Sequence, residues 1–151
     1  MSDTDAPDGP TPGYFVWRLS MKVRTAMDRA LTPLGLTHAT YSLLSSLHGL
    51  RGAGQTPSQR QLADHTGLEP LYVSKLARSL EKSGLITRPR DAADSRAVRL
   101  ALTDEGEAVV TRAIPVVQGL MAQLFEPLGG LDSKRTRVLA AELQVLLDAP
   151  V

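Results

Sequence analysis

Two short stretches in the middle of the chain concentrate side chains able to grip a polyanion. Ser58, Gln59 and Arg60 follow one turn, and Leu71, Tyr72, Ser74, Lys75 and Arg78 follow the next. A third cluster, Arg88, Arg90, Arg96 and Arg99, brackets the polar run DAADSR. Small hydroxyls and free N–H groups at a helix start can hold phosphate. Cations, donors and an aromatic edge along a helix face can meet the base edges of the major groove. An Arg at a hairpin tip is shaped to enter the narrow minor groove, where negative potential is strongest. Such residue types suit recognition of a duplex better than turnover of a substrate.

Charge is distributed accordingly. Residues 51–100 hold nine Lys/Arg against five Asp/Glu, a net of +4, and the remainder holds eight against eleven, a net of −3. A basic middle third within a chain of net charge +1 suits a polyanion docking at one face. A solvated basic surface gives the same count, so charge alone does not decide.

Catalytic chemistry has no comparable support. The sequence contains no Gly-rich phosphate loop, nucleophile elbow, zinc-protease helix or dinucleotide fingerprint, and no enzyme activity or cofactor is expected. His38, His48 and His65 lack the H-x-x-x-H or H-x-H spacing of a metal site and are expected to be individual surface or half-buried residues. There are no cysteines, which excludes disulfides, thiol redox sensing and thiolate zinc sites. Apolar runs are short, so no membrane span is expected. The N-terminal MSDTDAPDGPTPG has three Asp and no basic residue, unlike a signal peptide, so a cytoplasmic protein is expected.

The elements that must position these residues follow from periodicity and punctuation. Apolar residues at Val16, Leu19, Val23, Met27, Ala30 and Leu34 step by three and four, predicting a first helix over 14–34 that Pro33 and Gly35 end or bend. Residues 1–13, rich in Pro, Gly and Asp, are expected to be a disordered tail. Thr37 caps a second helix, with Tyr41, Leu44, Leu47 and His48 along one side. Ser58 opens a short helix stopped by Gly67. Pro70 opens another, with Val73, Leu76 and Leu80 inward and Gly84 as its stop. LITRPR and AVRLAL predict a β-hairpin with a long tip. Thr103 or Asp104 caps a long helix that Pro115 should kink or divide and that Gly129 and Gly130 break. Asp132 or Ser133 caps the last helix, with Leu139, Leu143, Leu146 and Leu147 on one face.

Two helices joined by a short Gly-containing turn, here Gly67, Leu68 and Glu69, form a helix-turn-helix, although an ordinary helical corner fits the same pattern. The segment after it is more specific. LEKSGLITRPRDAADSRAVRLALTDEG resembles the wing of the MarR family of winged helix-turn-helix regulators. That family runs L-E-x-x-G-L-(I/V)-x-R, then D-P-x-D-x-R-A, then L-x-L-T-x-x-G. These positions are Leu80, Glu81, Gly84, Leu85, Ile86 and Arg88, then Asp91, Asp94, Arg96 and Ala97, then Leu100, Leu102, Thr103 and Gly106. LTHATYSLL resembles the family's second helix, and the resemblance extends from Tyr14 to the C-terminus. Ala92 stands where the family has proline, and Ser95 where it often has arginine.

The resemblance implies a mainly α fold: a winged helix-turn-helix with N- and C-terminal dimerisation helices and one small β-hairpin wing. Residues 36–103 would be the DNA-binding domain, and 14–35 with 104–151 the dimerisation region. It implies a homodimer, in line with the amphipathic terminal helices of so short a chain. It implies that Asp94 orients Arg96 into the minor groove. It also implies a pocket for a small aromatic or anionic effector, for which Trp17, Arg18 and Tyr41 are candidates, core or interface packing being the other use of Trp17 and Tyr41. The expected function is a ligand-responsive repressor that binds a pseudo-palindromic double-stranded operator. The alternative is a winged protein–protein interaction module that does not bind DNA. Steep salt dependence separates the two.

Overall fold

The computed structural model describes residues 9–89, 93 and 98–151. Within them, six α-helices and one two-stranded antiparallel sheet make a mainly α fold with a small hairpin, as the sequence implies. Helix α1 spans Pro12–Leu31. Its start lies two residues ahead of Tyr14 because Thr11 accepts from the Tyr14 N–H at 3.3 Å and Pro12 suits the first helical position. It stops short of Leu34: Thr32–Leu34 tighten into a 3-10 turn, closed by Gly35 at φ 71°. Helix α2 (His38–Gly52) opens on Thr37, which exchanges hydrogen bonds with Thr40 in a capping box.

Helices α3 (Gln59–Thr66) and α4 (Pro70–Lys82) form the helix-turn-helix, with Gly67 at φ 74° ending the first. The hairpin is shorter than the sequence suggests: β1 is Ile86–Thr87 and β2 is Ala101–Leu102, paired Ile86 with Leu102. An isolated bridge joins Ser58 to Arg99, so the chain ahead of α3 lies alongside the returning wing.

Helix α5 spans Asp104–Phe125 and continues as one helix through Pro115, so of the two expected outcomes, a kink or a division, the division does not occur. Pro115 and Thr111, whose carbonyl loses its helical donor, are both exposed, so water can replace that bond. A 3-10 turn, Glu126–Leu128, ends this helix before Gly129 and Gly130, and α6 occupies Lys134–Asp148 with Ser133 as its cap.

The core lies between α2, α3, α4 and α5. Leu43, Leu44, Leu62, Val73, Ile86, Leu100 and Val110 are fully buried there. α1 contributes Leu31, while Phe15, Trp17, Leu19 and Met21 stay exposed. No leucine of α6 is buried, and Val145, Leu146 and Leu147 are open to solvent. Asp104–Leu128 is long and apolar enough, by length and composition alone, to cross a membrane. The helix buries Val110, Ala113 and Val117 in the core and opens on Asp104, Glu105 and Glu107, as a core helix of a water-exposed domain does.

Candidate nucleic-acid interface

The helix-turn-helix is held by caps that also decide which polar groups face outward. At the start of α3, the Gln61 N–H donates to Ser58 Oγ at 3.1 Å, and the Ser58 N–H donates to Gln61 Oε1 at 2.9 Å. Ser58 thus keeps its O–H as a free donor. Gln59 is half-buried and its N–H donates to the Val98 carbonyl at 2.9 Å, so Arg60 is the fully outward group of the three.

Helix α4 separates two faces. Val73, Leu76, Ala77 and Leu80 are buried, and Leu71, Tyr72, Lys75 and Arg78 are exposed. Glu69 caps the helix by accepting the Tyr72 N–H at 3.0 Å. Sequence reasoning missed this residue; the signal was an acceptor immediately before Pro70. Its carboxylate neutralises the positive helix end and leaves an acceptor beside the reading face. Ser74 is half-buried, and the Arg78 Nη2–H donates to its hydroxyl at 3.1 Å, which holds Arg78 close to the helix.

The arginines of the wing have different situations. Arg88 lies half-buried with Nη1 3.8 Å from Glu81 Oε1, which ties the first strand to α4. Its Nε is buried without a hydrogen-bond partner. Arg99 is a strut: its Nη1–H donates to the Thr56 carbonyl at 2.8 Å and approaches Gln61 Oε1 at 3.5 Å. With the Leu100 N–H donating to the Pro57 carbonyl at 3.0 Å, this fixes the wing base against the start of α3. Arg90, Asp91, Asp94 and Arg96, the tip residues of the sequence reading, lie outside the described residues.

Two polar contacts tie α2 to the flanking helices. The His38 N–H donates to Asp28 Oδ1 at 2.7 Å, and His38 Nδ1 lies 3.0 Å from the same oxygen. Glu107 of α5 receives His48 Nδ1 at 2.8 Å and Arg51 Nη1 at 3.6 Å. The His38 N–H, more than the His38 ring and Arg24, holds the Asp28 carboxyl below the usual carboxylate range despite some desolvation. A carboxylate so depressed stabilises the fold above its unfolded pKa, and that contribution is lost as pH falls through the folded value. Asp28→Asn is therefore expected to lower stability to denaturant at pH 7, by a deficit that shrinks as pH falls below about 4. A deficit that does not change with pH would assign the effect to something other than the charge.

Trp17 and Arg18 lie on α1 and Tyr41 on α2. Trp17 and Arg18 gather at Tyr14: the Arg18 Nη1–H donates to Tyr14 Oη at 3.1 Å, and the Trp17 ring lies 6.5 Å from that of Tyr14. Arg18 lines an open groove with Met21, Lys22, Thr25 and Arg29. Tyr41, on α2, is half-buried, and burial pushes its phenol up, with Ser45 opposing through a hydrogen bond. Among the described residues no group of His, Asp or Glu could hold a metal ion.

Known proteins have related sequences and folds. Residues 36–98 match the model of the MarR family. An uncharacterised HTH-type transcriptional regulator of Bacillus subtilis, YdcH, is 33% identical over 76% of this chain and 78% of its own. The HTH-type transcriptional repressor Rv2887 of Mycobacterium tuberculosis is 33% identical over 80% of this chain and 83% of its own. Its structure in complex with salicylic acid superposes with a TM-score of 0.66 at 28% identity, over 92% of this chain and 98% of that one. The M. tuberculosis regulator MosR in complex with DNA superposes with a TM-score of 0.73 at 27% identity, over 92% and 97%.

Proposed function

The chain belongs to the MarR family of winged helix-turn-helix transcriptional regulators, and we propose that it is a cytoplasmic, ligand-responsive repressor acting as a homodimer on a pseudo-palindromic operator. It acts by occupying DNA and not by catalysis. The observation that carries this is α4, whose outer face presents Tyr72, Lys75 and Arg78 while its inner face is spent on the core. Such a helix fits the major groove, with its first turns at the base edges. Arg60 and the Ser58 O–H hold phosphate at the start of α3, and Gln59, Leu71, Ser74 and Arg78 complete the helix contacts. Arg96, oriented by Asp94, enters the minor groove, and Arg88 is a further proposed contact of the wing.

Residues 36–103 form the reading domain, and 14–35 with 104–151 the dimerisation region. The exposed apolar residues of α1 and α6, Phe15 and Trp17 on one and Val145, Leu146 and Leu147 on the other, are what a second copy would cover. Sedimentation at micromolar concentration is expected to give the mass of two chains; a single-chain mass would remove the basis for a two-fold site. The half-site centres are then expected to be about 10 base pairs apart. The effector is a small aromatic or anionic molecule, with Trp17, Arg18 and Tyr41 as its proposed contacts. The salicylic acid complex of Rv2887 supports that class. Selection of bound sequences from random duplex DNA tests the whole reading: an enriched inverted repeat is the expected result. Partner capture without any enriched duplex would favour the protein-interaction alternative.

A further inference from the structure

The N-terminal end of α4 carries an apolar group where the rest of its outer face carries charge. At about 100° per residue, Leu71, Lys75, Arg78 and Lys82 project along one side of the helix, and Val73, Leu76, Ala77 and Leu80 along the opposite side. Leu76 and Leu80 are 9% and 3% exposed, whereas Leu71 is 78% exposed. Leu71 has no part in the core or among the apolar residues packed on it. Nor does it serve the helix start, which Glu69 caps and Pro70 opens. The fold therefore leaves this side chain for whatever α4 meets.

Resting on the reading of α4 as a major-groove helix, we propose that Leu71 reads thymine, packing its δ-methyl groups on the C5-methyl of one thymine in each half-site. In the major groove guanine, adenine and cytosine are distinguished by donors and acceptors, and thymine adds an apolar methyl group. An isobutyl side chain neither donates nor accepts, so the groups it can select there are apolar. The first turn of a recognition helix is the part that reaches base edges. Lys75 follows one turn later on the same side, which places a cation for guanine or phosphate next to the thymine contact.

Deoxyuridine tests this, because it keeps every hydrogen-bonding group of thymine and removes only the methyl. In the selected operator, each symmetric thymine pair is replaced by uracil in turn, and binding of the full-length chain is measured. At one pair the parent is expected to lose about three- to five-fold per half-site, the value of one methyl group buried, and about tenfold or more for both. Leu71→Ala is expected to bind the thymine and uracil duplexes equally, at the level of the parent on uracil. The assignment is overturned if no uracil substitution weakens the parent, or if the thymine preference survives in Leu71→Ala. A parent chain that enriches no duplex at all overturns the DNA-binding reading itself; specific binding without a uracil effect overturns only the role of Leu71.

Discussion

Gly106→Ala should destabilise the protein by about 3 kcal/mol, lowering its unfolding midpoint by about 10 °C. Gly106 lies in the first turn of α5 and is buried. A Cβ there would fall on the Leu85 carbonyl oxygen and within 3.0 Å of its carbon and 3.2 Å of Leu102 Cδ2. The backbone at Leu85 cannot easily retreat. Its carbonyl accepts the Thr103 N–H at 3.1 Å, and its own N–H donates to the Leu80 carbonyl at 3.0 Å. The Thr103 hydroxyl, donating to the Gly84 carbonyl at 2.6 Å, closes the same junction. Moving Leu85 thus breaks the join between α4, the wing base and α5. Gly49 is the internal comparison: it is helical, exposed, and a Cβ there meets nothing within 4 Å. Gly49→Ala should raise stability by about 0.5–1 kcal/mol. Circular dichroism melts of both variants check this, and a Gly106→Ala midpoint within a degree or two of the parent would contradict the proposed close contact.

The second large effect concerns DNA affinity. Lys75→Ala should cost about 1–3 kcal/mol, roughly 5- to 150-fold, and relax preference at a base pair inside each half-site. Lys75 is exposed one turn beyond Leu71, and its ammonium is free to reach a guanine. Arg96→Ala should cost a similar amount but change a different observable. Its proposed minor-groove contact separates mainly A·T from G·C, so preference should soften only at flanking positions and the salt slope should fall by about one unit. Binding of both variants to single-base operator variants at two salt concentrations separates these roles. A uniform factor across all operators for both variants would mean that both residues merely hold phosphate.

Most helix boundaries were legible because they depend on local chemistry. Thr37, Ser58 and Thr103 cap the helices that follow them, and Gly67 adopts the left-handed conformation expected of a helix stop. Which of the two outcomes Pro115 would bring was not legible, because its cost depends on whether the orphaned carbonyl meets water, which is a matter of burial and not of sequence. The site was legible as a set of residue types on α3 and α4, since periodicity alone places Leu71, Lys75 and Arg78 opposite Val73, Leu76 and Leu80. The fate of each polar group was not. Gln61 and Arg99 meet at the base of the wing although they are distant in sequence, and Arg78 turns back to Ser74. Nothing in the spacing of Trp17, Arg18 and Tyr41 says how α1 crosses α2, which decides whether they share a pocket.

The claim that α4 and the wing clamp duplex DNA as a symmetric pair of heads is tested most directly by the salt dependence of binding to the selected operator. Two heads that each place about three cations on phosphates should give a slope of log K against log salt of roughly −5 or steeper. That slope, on an enriched inverted repeat bound by two chains, is the expected result. Binding that is insensitive to salt, or a sequence pool from which no duplex is enriched, would contradict it.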